Sequence, residues 1–438
     1  MQNISKAAIS LFTCAALLSA PSWAEQEPVP RPLALDQAIT IALERHGSVA
    51  VAAQQASAAD AALKEARSAF WPEIAAGWEY RFSRSVGGTR FSTIGGVPVP
   101  VPSSAERHQL VVGYQHNLLN SGLTSAQVSR ARALAGGSHS AVALARQDLV
   151  YLVTERYFTL LRTRRLRTLA EETVKQAQGH LALIQGRIDA GAAAQSDRFP
   201  VEAELADVRV KLVAAANDVR LASTVLLNTM GMDIGEEVEP VEPPELAFSS
   251  LQVKDLAQKA LASRPDLKEA KAESLAARAE LRTAALLRRP LLNLDLGYNL
   301  RVDPPPTARD WIFSATIGLP IFDAEARKSR ERQARANLNA ARLRQEQLRK
   351  DVQSDVHQAY LSLVNAQERI EASAASVAEA RKSLEAFEEK LRLGLAIPTE
   401  VVDAQVLYFN SQVQAISARY DWFVASAALQ RAVGARYD

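Results

Sequence analysis

Residues able to do chemistry are thinly spread along this chain. The six histidines, His46, His108, His116, His139, His180 and His357, are scattered, and no two sit at metal-ligand spacing on one helix. His108 and His116 share a strand face, which suits a surface or lumen position better than a metal site. No G-x-x-x-x-G-K-[ST] loop is present, so the chain shows no nucleotide-binding loop with which to supply energy of its own. Met230 and Met232 are the only internal methionines, too few for a soft-metal track. The carboxylates Glu400 and Asp403 form the one suggestive pair. Three residues apart and just after Pro398, they share one face at the start of a helix. Acids are favoured there by the helix N-terminus even with no further role. This inventory gives no reason to expect a cofactor, a bound metal or an enzymatic activity.

The elements that would position these residues are constrained first by composition. The chain is 48% hydrophobic and 23% charged with a formal charge of +2, a foldable balance with no electrostatic reason for a nucleic-acid partner. Past the N-terminus no apolar run approaches the roughly 18 to 20 residues of a spanning helix. The opening MQNISKAAISLFTCAALLSAPSWAEQ has one lysine, an apolar stretch and Ser22-Trp23-Ala24, the layout of a secretory signal peptide over 1–24. Lipidation at Cys14 is the rival reading; Thr13 before it argues against that. Cleavage after Ala24 removes the only cysteine, leaving no disulfides. Export without a disulfide framework points to the bacterial periplasm or outer membrane.

The chain repeats itself. An offset of 218 places Ala42-Leu43 over Ala260-Leu261, Pro72 over Pro290 and Tyr80 over Tyr298. An offset of 203 places Tyr157 over Tyr360, Gly191 over Gly394, Asp218 over Asp421 and Gly231 over Gly434. The first copy therefore carries an insertion between Tyr80 and Arg107, where VGGTRFSTIGGVPVPVPSS reads as a surface loop. The expected organisation is a first repeat over 25–234, a Pro/Glu-rich linker over 235–250 and a second repeat over 251–438.

Each copy reads as short helices, two strands, a very long helix, a glycine turn and a returning helix. The strands are expected at about 74–82, 109–118, 291–301 and 311–319. All four alternate apolar and polar residues over about ten positions, the length that crosses a bilayer when tilted. In PLLNLDLGYNLR, Leu292, Leu294, Leu296, Tyr298 and Leu300 would face lipid, while Asn293, Asp295, Asn299 and Arg301 would face water. A heptad runs from Ala334 through Leu338, Ala341, Leu348, Val352, Leu363, Ala366, Leu384 and Leu391, interrupted at Gln345, Asp355 and Ser373. It predicts one rod from about Asp323 to Leu393, on the order of 100 Å long. Shorter helices should line it in pairs, with a thickened girdle where they meet. Turns are expected at about 191–196, with Gly191, and at about 394–398, with Gly394 capping one helix and Pro398 opening the next. Four strands cannot close a barrel, and open edges are not tolerated in hydrocarbon. Three chains would supply twelve strands and enclose a hollow helical cylinder.

The tandem strand pair and hairpin, the motif ALASRPDLKEAKAESLAARAELRTAALLRRPLL and the tip RLGLAIPTEVVDAQVLYFNSQ together resemble the TolC-type outer-membrane efflux proteins. The resemblance covers nearly the whole chain after the leader. It implies a homotrimeric α+β membrane protein: four transmembrane β-strands per chain forming a 12-stranded β-barrel in outer-membrane lipid, and coiled-coil hairpins forming a periplasmic tunnel. It also implies a passive duct for efflux or type I secretion, meeting a periplasmic adaptor protein and an inner-membrane pump of RND, ABC or MFS type. Glu400 and Asp403 match the family's gate acids, and Asp197 occupies the equivalent of Glu400 in the first copy, with Pro200 in place of the second acid. The tip turns would dock the adaptor. Some relatives lock the tip with an Arg where this chain has Ala396, so a latch here would need Lys390 or Arg392. A periplasmic coiled-coil structural or adaptor protein is the alternative reading.

Overall fold

The structure is a computed structural model that describes residues 32–84, 90–94, 96–101, 104–235, 238–242, 252–301 and 308–434. The expected signal peptide with Cys14 lies outside the described residues, as does most of the linker. In chain order the elements are α1 (Leu35–Arg45), α2 (Gly47–Ser68), β1 (Glu73–Arg84), β2 (Arg90–Ile94), β3 (Val97–Val101), β4 (Ser104–Leu119), α3 (Leu123–Asp189) and α4 (Arg198–Met230). They continue as α5 (Val253–Ser263), α6 (Pro265–Leu286), β5 (Leu291–Arg301), β6 (Ala308–Gly318), α7 (Ala326–Arg392) and α8 (Pro398–Val433). Among the described residues, no helix is long and apolar enough to cross a membrane.

Corresponding elements recur in the two halves with matched lengths: α1 and α5 have 11 residues each, α2 and α6 have 22, and α3 and α7 have 67. At 1.5 Å per residue each 67-residue rod is about 100 Å long. The expected surface loop in the first copy instead contains a short antiparallel hairpin, β2 with β3, in register from Arg90↔Val101 to Ile94↔Val97. Pro98 and Pro100 removed it from a strand reading, yet a two-stranded ribbon has outward edges where proline costs no ladder bond.

The main sheet is antiparallel in the order β1-β4-β5-β6. Its registers align the alternation of every strand. Ile74 lies opposite Tyr114, Tyr114 opposite Leu296, and Leu296 opposite Phe313. One step over, Gln115, Asp295 and Ser314 form a polar row, and Asn117, Asn293 and Thr316 another. Because side chains alternate with period two, one sheet face is apolar from edge to edge and the other polar. Trp78, Phe82, Trp311, Phe313 and Ile317 are each more than half exposed in the single chain, Trp311 at 79%. A contiguous exposed apolar face of this kind marks a surface that is covered by a partner or by lipid.

Below the sheet, α3 packs against α2 and α6, and α6 against α7, so the wall runs α2, α3, α6, α7. Further down, α4 and α8 replace α2 and α6 as partners of the rods. At the change-over, Leu33, Ala38, Ile39 and Ala42 bury against Val150, Val153, Tyr157 and Leu160 of α3. The Tyr157 hydroxyl donates between the carbonyls of Val241 (2.6 Å) and Leu33 (2.9 Å). On the other side Arg264 is held by Asp266 (2.6 Å) and Asp355 (3.1 Å). Burial opposes its charge, but the two carboxylates more than offset that and raise its pKa. Asp355, which breaks the α7 heptad, is thus the anchor for the α5–α6 junction.

Candidate functional site

The far ends of the two hairpins come together in one cluster. Ile184 of α3, Val201 of α4, Leu384 and Leu391 of α7, and Val401 and Ala404 of α8 are all buried in it. Each rod ends on a left-handed glycine, Gly191 (φ 69°) and Gly394 (φ 77°). In both tips the next amide reaches back to close the helix: Ala192 N to Arg187 O and Leu395 N to Lys390 O, each 2.8 Å. That is a Schellman stop, which removes unpaired carbonyls from the helix end without adding length. Pro398 is buried at the first turn of α8.

Glu400 and Asp403 are both exposed, whereas Val401, Ala404 and Gln405 beside them on α8 are buried. The Glu400 carboxylate accepts from the Ile397 amide at 3.0 Å, and the Asp197 carboxylate accepts from the Ala194 amide at 3.2 Å. Both acids are therefore engaged in capping a helix start, the structural role that spacing alone suggested. Capping occupies one carboxylate oxygen each and leaves the charge on the surface. Asp403 makes no ion pair or side-chain hydrogen bond among the described residues, so its charge is free to act on solvent.

The expected latch residues do not reach these acids. Arg392 pairs with Glu389 on its own helix at 3.4 Å, and Lys390 lies over the Phe387 ring. The link between hairpins comes from the other copy. Arg187 of α3 donates to the Leu391 carbonyl at the end of α7. Two turns back along α3, His180 meets Glu388 of α7 at 3.0 Å, with both side chains largely shielded. Sequence reading missed Arg187 because its acceptor is a backbone carbonyl, which leaves no complementary residue to find. Gln405 is 2% exposed beside this cluster, and neither its amide nitrogen nor its oxygen has a hydrogen-bond partner.

At the opposite end, Asn293, Asp295, Asn299 and Arg301 lie on the polar face of β5, and Arg301 pairs with Asp310 of β6 at 3.4 Å. More than 100 Å of helix and strand therefore separates the two groups of site residues. Among the described residues, no three His, Cys, Asp or Glu side chains are grouped to hold a metal ion.

Comparison with known proteins converges on one group. The family model for outer membrane efflux proteins matches residues 38–232 and 256–435. The outer membrane efflux protein BepC of Brucella suis is 23% identical over 301 residues, covering 66% of this chain and 63% of that protein. The outer membrane protein TolC of Vibrio cholerae is 24% identical over 442 residues, covering 98% of this chain and 95% of that one. The crystal structure of the outer membrane protein VceC from Vibrio cholerae superimposes with a TM-score of 0.81 at 18% identity, over 91% of this chain and 96% of that chain.

Proposed function

The chain belongs to the outer membrane efflux protein family and has the family's channel-tunnel fold, and from that premise we propose that three copies assemble into a passive duct whose periplasmic entrance is lined by Glu400 and Asp403. The observation that carries the reading is the four-stranded sheet. It has one apolar face, one polar face and two unpaired edges, β1 and β6. A lipid-embedded sheet cannot leave edge amides and carbonyls unsatisfied. Joining β6 of one protomer to β1 of the next closes the wall with twelve strands. The apolar face then meets lipid, and Asn293, Asp295, Asn299 and Arg301 line a wet lumen.

The same closure sets the two repeats side by side around the axis, with both hairpin tips facing the periplasm. Three copies of Glu400 and Asp403 place six carboxylates around the entrance, and such a ring favours cations over anions. The turns at Gly191, Gly394 and Pro398 are the surfaces that meet an adaptor protein, with the energy for transport supplied by an inner-membrane pump. The chain's own residues offer a conduit, not a reaction.

Planar-bilayer recording of the purified trimer tests this directly. Cation-selective openings are expected, and Glu400→Ala with Asp403→Ala should move the reversal potential toward zero in a salt gradient. An unchanged reversal potential would remove the gate assignment. A water-soluble monomer would overturn the duct itself.

A further inference from the structure

The α3–α6 seam above the girdle carries a run of cations that the channel role does not use. On α6, Lys268, Lys271, Leu275, Arg278 and Arg282 recur at alternating spacings of three and four and are all exposed. They therefore form one heptad stripe. Arg132 of α3 faces them across a cavity of about 650 Å³ whose floor is small: Ala133 and Gly136 from α3, Ala272 and Ala279 from α6. Among the described residues, none of the five cations makes an ion pair or a side-chain hydrogen bond. Three of the four acids of α6 are paired with other cations, Asp266 with Arg264, Glu273 with Arg344 and Glu280 with Arg130.

The stripe has a definite orientation. Val150, Val153 and Tyr157 form the α3 face that the girdle covers. Counting back by heptads from Val150 and Val153 leads to Ala143, Gly136 and Ser129, and to Arg146, His139 and Arg132. The cavity therefore opens on the same side as the girdle. An additional layer inside a duct would obstruct it, so this side is the outside. The seam also lies between the protomer's own inner helices, α3 and α6, leaving α2 and α7 to meet neighbouring protomers; trimer formation does not cover it.

We propose that this seam is a docking groove for an acidic amphipathic helix of a periplasmic partner protein, which grips the tunnel between the girdle and the membrane. A small-residue floor with Leu275 exposed at 47% accepts the apolar stripe of a helix laid along the groove. Flanking cations with no partner of their own complement Asp or Glu on the edges of that stripe. Membrane headgroups do not account for the whole set. Arg282 lies nine positions before β5, and Lys268 lies a further fourteen back along α6, about 21 Å of helix more distant from the strand.

The periplasmic location rests on the channel reading, so the test uses purified trimer and records its conductance in parallel. The probe is a fluorescein-labelled heptad peptide with Leu and Ala on one stripe and Glu on both flanks, compared with a scrambled peptide of equal charge. Salt-sensitive binding is expected, at least tenfold tighter for the amphipathic peptide, and weakened tenfold or more by Lys271→Glu with Arg278→Glu while conductance is unchanged. Lys271→Gln with Arg278→Gln supplies the comparison should the reversal variant fail to assemble, with a smaller loss in the same direction. Equal binding of the scrambled peptide would overturn the proposal. So would binding confined to soluble cell-wall glycopeptides or to vesicles containing anionic phospholipid. Conducting trimer that ignores the peptide refutes the groove alone, whereas non-conducting monomer refutes the channel reading.

Discussion

Replacing Arg187 by Met should loosen the periplasmic tip. Its guanidinium crosses from α3 to the Leu391 carbonyl and is the most direct polar tie between the hairpins at their ends. A hydrogen bond from a charged donor contributes about 1.5–3 kcal/mol, and about 1 where the site is part-exposed, as here. Methionine keeps an unbranched side chain of similar reach, so the loss is chiefly the bond. Three protomers opening together would forfeit about 3–4 kcal/mol of closed-state preference, a shift of roughly a hundredfold to a thousandfold in the open-to-closed ratio. Single-channel recording in planar bilayers reads this as a rise in open probability or in mean conductance. Arg187→Lys, which keeps the charge and loses the planar fork, should fall between the two. Unchanged gating from an Arg187→Met trimer of unaltered thermal stability would refute the argument, since the hairpins would then be held by the apolar cluster alone.

Three other expectations bear on stability. Tyr157→Phe leaves two girdle carbonyls with fewer donors and should cost about 1–3 kcal/mol per protomer; a lowered thermal midpoint checks it. Burial holds the Tyr157 phenol neutral, with its pKa pushed up to about 12, so this effect should be flat from mildly acidic to mildly alkaline pH. Burial also raises the Glu204 carboxyl, with Lys211 opposing the shift and Asp207 adding to it. A raised acid penalises the folded state above its folded pKa and is relieved as pH falls through it, so Glu204→Gln should be the more stable form at neutral pH, with the gap closing on acidification in denaturant titrations. Gln405→Leu removes two unpartnered buried polar atoms and should raise the thermal midpoint; a lower midpoint would mean that the amide is satisfied by a group in the assembled trimer.

Much of the architecture was legible because it is periodic. The alternation in LLNLDLGYNLR marked β5 at its actual ends, and the heptad from Ala334 to Leu391 marked a rod that runs from Ala326 to Arg392. β4 was read five residues short at its start and one at its end, because Ser104–His108 continue the ladder opposite Tyr80–Arg84 in a largely polar stretch that carries no apolar alternation. The same limit explains Arg187, whose partner is a main-chain atom: pattern reading finds residue pairs, and a backbone carbonyl is present at every position.

Breaks in the pattern carried information of a different kind. Asp355 and Ser373 interrupt the α7 heptad, and each departure has its own local cause. Ser373 is buried with its hydroxyl donating to the Ile370 carbonyl, so a polar atom is accommodated inside the seam without a partner helix. Asp355 stands half-exposed and receives Arg264, which is also bonded to Asp266 and to the Ala432 carbonyl at the end of α8. One guanidinium thus ties the α5–α6 junction to the rod and to the returning helix, at the level where partners change from α6 to α8. The second copy solves with an ion pair what the first solves with Tyr157 and the Leu33 and Val241 carbonyls. Sequence repetition preserved the helices and turns, whose geometry is common to both halves. The fastening of the girdle diverged because each half meets different neighbours there, so the residues that hold it follow from contacts and not from the repeat.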